Sequence, residues 1–134
     1  LTFLELNEID HNESKMVVQR KICDLFVQMM REGCIKKTAW QFVLEIADSE
    51  PPKKCPEFQN FVSYVKKMPW SLDEKEKIRK LTRHALKLSV LHTWFSFMFT
   101  NQRITANYYL PDSVLCDLYK AKYVFSFILE YEKH

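Results

Sequence analysis

An all-α domain of about six to eight helices is what this sequence predicts, and three observations carry the prediction. The longest apolar patterns repeat at three- and four-residue steps, the spacing of one face of a helix. A single glycine stands among 134 residues, whereas the turns of a β-protein need residues at positive φ. With 47% hydrophobic and 14% aromatic residues, the chain can fill one sizeable core. Residues 1–134 are therefore read as a single globular domain. A chain that begins with Leu1 in place of methionine is read as a piece excised from a longer protein.

Taken in order, residues 1–9 are apolar with acidic interruptions, and residues 11–14 are polar enough for a turn or a helix start. A helix is expected from Lys15, with Val18, Ile22, Leu25, Phe26, Met29 and Met30 on one face and Gln19, Lys21, Asp24, Gln28 and Arg31 on the other. Gly33 ends it, because a left-handed C-cap is cheap only without a Cβ. Residues 36–47 form the next helix, carrying Trp40, Phe42, Val43 and Ile46, and the Pro51-Pro52 pair stops it. Phe58, Phe61, Val62 and Val65 give another amphipathic helix that ends near Met68-Pro69.

The longest helix is expected over residues 71–99. Ser71 with Glu74 has the form of a capping box, and Trp70 stands where a hydrophobic staple would. Ile78, Leu81, Ala85, Leu88, His92 and Phe95 line one side. From Val90 onward Leu91, Trp94, Phe95, Phe97, Met98 and Phe99 leave little polar surface, as in a helix enclosed by neighbours. Residues 101–103 read as a polar break, residues 104–109 as a short turn of helix, and residues 113–118 as renewed helical spacing. Val124, Phe127, Ile128 and Tyr131 place a final amphipathic helix over residues 123–131.

Chemistry is conspicuous by its absence. One glycine excludes the Gly-rich phosphate loops of Walker and Rossmann sites, and no Gly-x-Ser-x-Gly, His-Glu-x-x-His or EF-hand pattern occurs. Cys23, Cys34, Cys55 and Cys116 are widely spaced, and neither they nor the four histidines supply the close ligand pairs that zinc needs. No catalytic residue, cofactor or metal is therefore expected, and His92 reads as a core histidine. Cys23, within an apolar pattern, reads as a buried thiol in a reducing, cytoplasmic setting. No apolar run reaches the length of a membrane span.

The charge pattern is more telling. The net charge is only +3, yet residues 75–87 hold six Lys/Arg against one Glu. Arg79, Lys80, Arg83 and Lys87 share the side of the helix opposite its apolar stripe, and Lys77 joins them in sequence. The plain alternative is a solvated helix face. Arg79, Arg83 and Lys87 have the spacing to follow phosphates, but the mild total charge and the lack of a helix-turn-helix argue against a nucleic-acid partner.

Several landmarks resemble the RUN domain, an all-helical module of adaptor proteins in membrane traffic. Ile22-Cys23 through Met29-Met30 to Gly33 is similar to the family's first strong helix, and Ala39-Trp40-Gln41-Phe42-Val43 to its aromatic-Trp helix. Most specific is Lys77-Ile78-Arg79-Lys80-Leu81-Thr82-Arg83-His84-Ala85-Leu86, which resembles the family's Gly-Arg-x-Arg-Ala-Trp-x-Arg-x-Ala-Leu from its second residue on. Leu91, Tyr108-Tyr109 and Val114-Leu115 follow in the family's order. The sequence departs at Glu76 for the motif's glycine, Lys77 for its first arginine, Leu81 for its tryptophan and Glu32 for the histidine before Gly33. The resemblance covers roughly residues 16–131. It implies a non-enzymatic module that binds a GTP-loaded small GTPase of the Rab, Rap or Arl type through Lys77, Arg79, Lys80, Arg83 and Lys87. It implies, too, peripheral recruitment to endosomal, lysosomal or Golgi membranes through that partner. Leu81 or Trp70 is the expected apolar anchor. Three other readings stand beside it: a scaffold whose groove, lined by Met29, Met30 and the Phe-rich segment, holds a partner's amphipathic helix; a nucleic-acid binder; and a lipid-surface module.

Overall fold

The structure, a computed structural model, describes residues 13–35, 38–68 and 73–133. The proposed roles of Ser71, Trp70 and residues 1–12 lie outside the described residues. Among the described residues there are seven α-helices: α1 (Lys15–Arg31), α2 (Ala39–Ala47), α3 (Pro56–Lys66), α4 (Glu74–Lys87), α5 (Leu91–Thr100), α6 (Gln102–Tyr108) and α7 (Leu118–Glu132). A 3₁₀ turn over Pro52–Lys54 joins α2 to α3, and the one extended feature is an isolated antiparallel bridge between Cys34 and Tyr109. The all-α expectation holds.

Helix α1 starts where expected because the Ser14 hydroxyl accepts a hydrogen bond from the Val17 amide at 3.3 Å, one of the amides a helix start leaves unpaired. All six residues of its predicted apolar face are buried. Met29 and Met30, at 3% and 1% exposure, are core filling. They line no accessible groove, which removes that support from the amphipathic-helix reading. Helix α2 begins at Ala39, later than predicted. Thr38 caps it by accepting from the Gln41 amide at 3.1 Å.

The expected single helix over residues 71–99 is two. Helix α4 ends in a Schellman motif: the Val90 amide donates to the Ala85 carbonyl at 2.9 Å and the Ser89 amide to Leu86 at 3.1 Å. Ser89 takes the left-handed turn at φ 59. Glycine usually occupies that position, and the serine that stands there hid the break. The new helix α5 has no side-chain cap of its own at Val90. Glu132, at the far end of α7, supplies one, accepting from the Leu91 amide at 3.0 Å and the His92 amide at 2.8 Å. The polar break expected over residues 101–103 is narrower, the single residue Asn101 between α5 and α6, and it caps α6 by accepting from the Ile104 amide at 3.3 Å. Residues 113–116 form a turn, and Asp117 starts α7 well before the predicted Tyr123 by accepting from the amides of Tyr119 and Lys120.

The core sits around α5, as the sequence suggested for its apolar run. Leu91, Trp94, Phe95, Met98 and Phe99 are buried. Phe58 meets Trp94 edge-on with centroids 5.1 Å apart, and Phe26 meets Phe95 at 5.5 Å, the arrangement the ring quadrupoles favour. A second aromatic cluster joins Phe42 to Tyr108 and Tyr109 at 5.4 and 5.0 Å. Buried Tyr109 also donates its hydroxyl proton to the Met30 carbonyl at 2.5 Å, tying the end of α6 to the end of α1.

That junction explains the single glycine. Gly33 has φ +77, and a Cβ built there meets the Ser113 Cβ at 2.9 Å. Its carbonyl accepts from the Leu110 amide at 2.9 Å, while the Ile35 amide donates to Tyr108 at 2.7 Å. Gly33→Ala is expected to cost about 2 kcal/mol, combining left-handed strain with overpacking. Urea denaturation measures it, and an unchanged midpoint would refute the close approach.

Candidate protein-binding site

Helix α4 carries the candidate residues, and its first turn is fixed from both directions. Asp73 is its N-cap, accepting from the Glu76 amide at 2.9 Å. Glu74, whose expected partner Ser71 lies outside the described residues, reaches across to the start of α2. Its carboxylate accepts from the Ala39 amide and from the Trp40 amide at 3.2 Å, and it pairs with Arg31 of α1 at 3.6 Å. One side chain therefore joins three helices.

Ile78, Leu81, Thr82, Ala85 and Leu86 form the buried stripe of α4. Leu81 is 2% exposed, so the structure corrects its reading as a partner-facing anchor: its ring of neighbours is the core. At about 100° per residue, Arg79, Arg83, Lys87 and Lys80 span about 100° of the opposite side. Lys77 lies about 160° from Arg79, on the other flank. The five predicted residues are thus not one set. Lys80, Arg83 and Lys87 make the outer ridge, with Arg83 and Lys87 exposed. Lys77 is half-buried towards α3, the side on which His84 stacks on Phe61 with centroids 4.7 Å apart.

Arg79 is turned towards α1 and already occupied. Its guanidinium bonds Asp24 at 3.3 Å and Glu76 at 2.5 Å, with 28% of the side chain exposed. Burial disfavours its charge, but these two carboxylates outweigh burial and hold its pKa above the ordinary arginine value. Asp24 and Glu76 are the functional neighbours that sequence reasoning missed. Glu76 sits three residues before Arg79, a spacing that signals such a pair, whereas Asp24 carries no local signal. Among the described residues no carboxylate forms an ion pair with Lys77, Lys80, Arg83 or Lys87.

Beneath the ridge lies Cys23. Burial pushes its thiol up to about 11, against the downward pull of Arg83, so it stays protonated and unreactive near neutral pH. His92 is half-buried, its Nδ1 2.6 Å from the Glu132 carboxylate and its ring edge-on to Phe125 at 6.2 Å. That carboxylate is 2% exposed, so the pair serves the start of α5. Among the described residues no group of three potential metal ligands converges, and no helix is long and apolar enough to cross a membrane.

The arrangement leaves the side chains of Arg83 and Lys87 exposed along α4. A family model of the RUN domain matches residues 14–130. This chain belongs to the RUN domain family. No curated protein and no solved structure matches it. RUN domains are non-catalytic protein-interaction modules. The residues that resemble the family's motifs have structural work in this RUN domain. Gly33 and Tyr109 close the α1–α6 junction, Trp40 is buried in α2, and Ala85 and Leu86 are core.

Proposed function

We propose that this RUN domain is an effector-type module that binds a GTP-loaded small GTPase of the Rab, Rap or Arl type through the basic ridge of α4. The observation that carries the reading is the ridge of Lys80, Arg83 and Lys87, three cations that pair with no carboxylate among the described residues, on a helix anchored at both ends. Small-GTPase switch regions offer carboxylates beside apolar groups, and arginine answers a carboxylate with two parallel hydrogen bonds. Lys77 contributes from the α3 flank. Arg79 acts in this reading mainly by holding α4 against α1. Through such a partner the parent protein is placed on endosomal, lysosomal or Golgi membranes.

Pull-down with the purified domain against a panel of Rab, Rap and Arl proteins tests the reading, each loaded with a GTP analogue or GDP at two salt concentrations. Capture of one protein in its GTP form alone, weakened by salt, is the expected result. No nucleotide-dependent capture would overturn it.

A further inference from the structure

We infer that the partner-facing surface spans three helices. Arg20 of α1 and Tyr64 of α3 flank the α4 ridge, and the surface they complete receives the acidic face of a folded protein with an apolar hollow for the tyrosine ring. The inference rests on the interaction role proposed above and names the residues and partner chemistry that go with it.

Helix register places Arg20. Arg31 meets Glu74 at 3.6 Å and Asp24 meets Arg79 at 3.3 Å, so α1 and α4 run antiparallel. One turn before Asp24 on α1 is Arg20, and one turn after Arg79 on α4 is Arg83. In keeping with that register, the charge of Arg83 draws the Cys23 thiol of α1 down against the effect of burial. Arg20 is exposed and forms no ion pair among the described residues. Register thus sets two arginines level on adjacent helices, and neither forms an ion pair among the described residues.

Tyr64 is placed by the same logic on the other side. A short connection makes α3 and α4 antiparallel neighbours, and Phe61 stacked on His84 fixes their register. Tyr64 lies next to Phe61, with centroids 6.1 Å apart. It falls one turn towards the end of α3, where α4 carries Lys80. Its ring is 58% exposed, a large aromatic left on a cationic face. Tyrosine in such a place supplies contact area at small entropic cost.

The spread of charge selects the partner. Cations one turn apart along α4 and on adjacent helices, roughly 5–10 Å from one another, exceed the reach of one small anion such as phosphate. Asp24 and Glu76, 58% and 45% exposed, stand within the same face. A uniformly anionic membrane meets those carboxylates unfavourably, whereas a protein surface can set a cation against them.

An amide NMR titration of the labelled domain with a glutamate–tyrosine copolymer tests this, beside vesicles containing phosphatidylserine and inorganic phosphate. Signals of Arg20, Tyr64, Lys80 and Arg83 are expected to move together with the copolymer. Arg20→Glu and Tyr64→Ala, both at exposed positions, should each weaken copolymer binding about fivefold or more, with Lys53→Glu as the unaffected control. Shifts centred on Lys53 and Lys54 or on Lys120 and Lys122 would overturn the face. Vesicles or phosphate moving the same signals as strongly as the copolymer would overturn the protein partner. A GTPase panel that captures nothing, beside a copolymer that maps to these helices, removes the GTPase reading and leaves the face standing.

Discussion

Arg83→Glu combined with Lys87→Glu is expected to weaken partner binding by about 100-fold or more, equivalent to about 3 kcal/mol, while the fold stays intact. Both side chains are exposed and pair with no carboxylate among the described residues, so reversal breaks no described ion pair. Across the interface it turns two attractions into repulsions. Circular dichroism and the urea midpoint should match the unaltered domain. Arg79→Glu is the informative contrast. It sets a third carboxylate beside Asp24 and Glu76, the groups that now hold Arg79 between α1 and α4. Its first effect is therefore a lowered urea midpoint. Loss of binding from Arg79→Glu alone would not separate a contact from a latch, whereas the Arg83 and Lys87 pair does.

Glu132→Ala is expected to lower stability by about 3 kcal/mol, because a buried charged acceptor is removed and the groups it served stay behind. Two backbone amides at the start of α5 and the His92 ring lose their partner together. Helix α5 carries Trp94, Phe95 and Met98 into the core, so its frayed start is felt throughout the domain. For a chain of this size the thermal midpoint should fall by about 10 °C. Glu132→Gln keeps the shape and acceptor capacity and should lose less. A midpoint unmoved by Glu132→Ala would show that α5 needs no cap from α7.

Most of the fold was legible in the sequence because most of it is local. The apolar spacing of α1 and of the α5 segment is what the core buries, and Gly33 takes its φ of +77 directly after Glu32, the residue at which α1 leaves the helical conformation. The break at Ser89 was not legible, since a serine at positive φ leaves no composition signal. Capping across the fold was hidden for another reason. Glu74 serves α2 and Glu132 serves α5 from more than 30 positions away, and periodicity carries no information on such partners. The same limit applied to the candidate site. Sequence placed Arg79, Lys80, Arg83 and Lys87 on one side of a helix, and they are there. That Asp24 claims Arg79 depends on how α1 and α4 are paired, and that Leu81 faces inward depends on which neighbours enclose it.

Titration calorimetry of the unaltered domain and the Arg83→Glu/Lys87→Glu variant tests the central claim most directly. Each would be titrated with Rab, Rap and Arl proteins bound to a GTP analogue or to GDP. The basic ridge of α4 as a nucleotide-sensitive docking face predicts heat with the GTP form of one of them and none with its GDP form or with the variant. Equal binding of both nucleotide forms, or a variant that binds as the unaltered domain does, would contradict it.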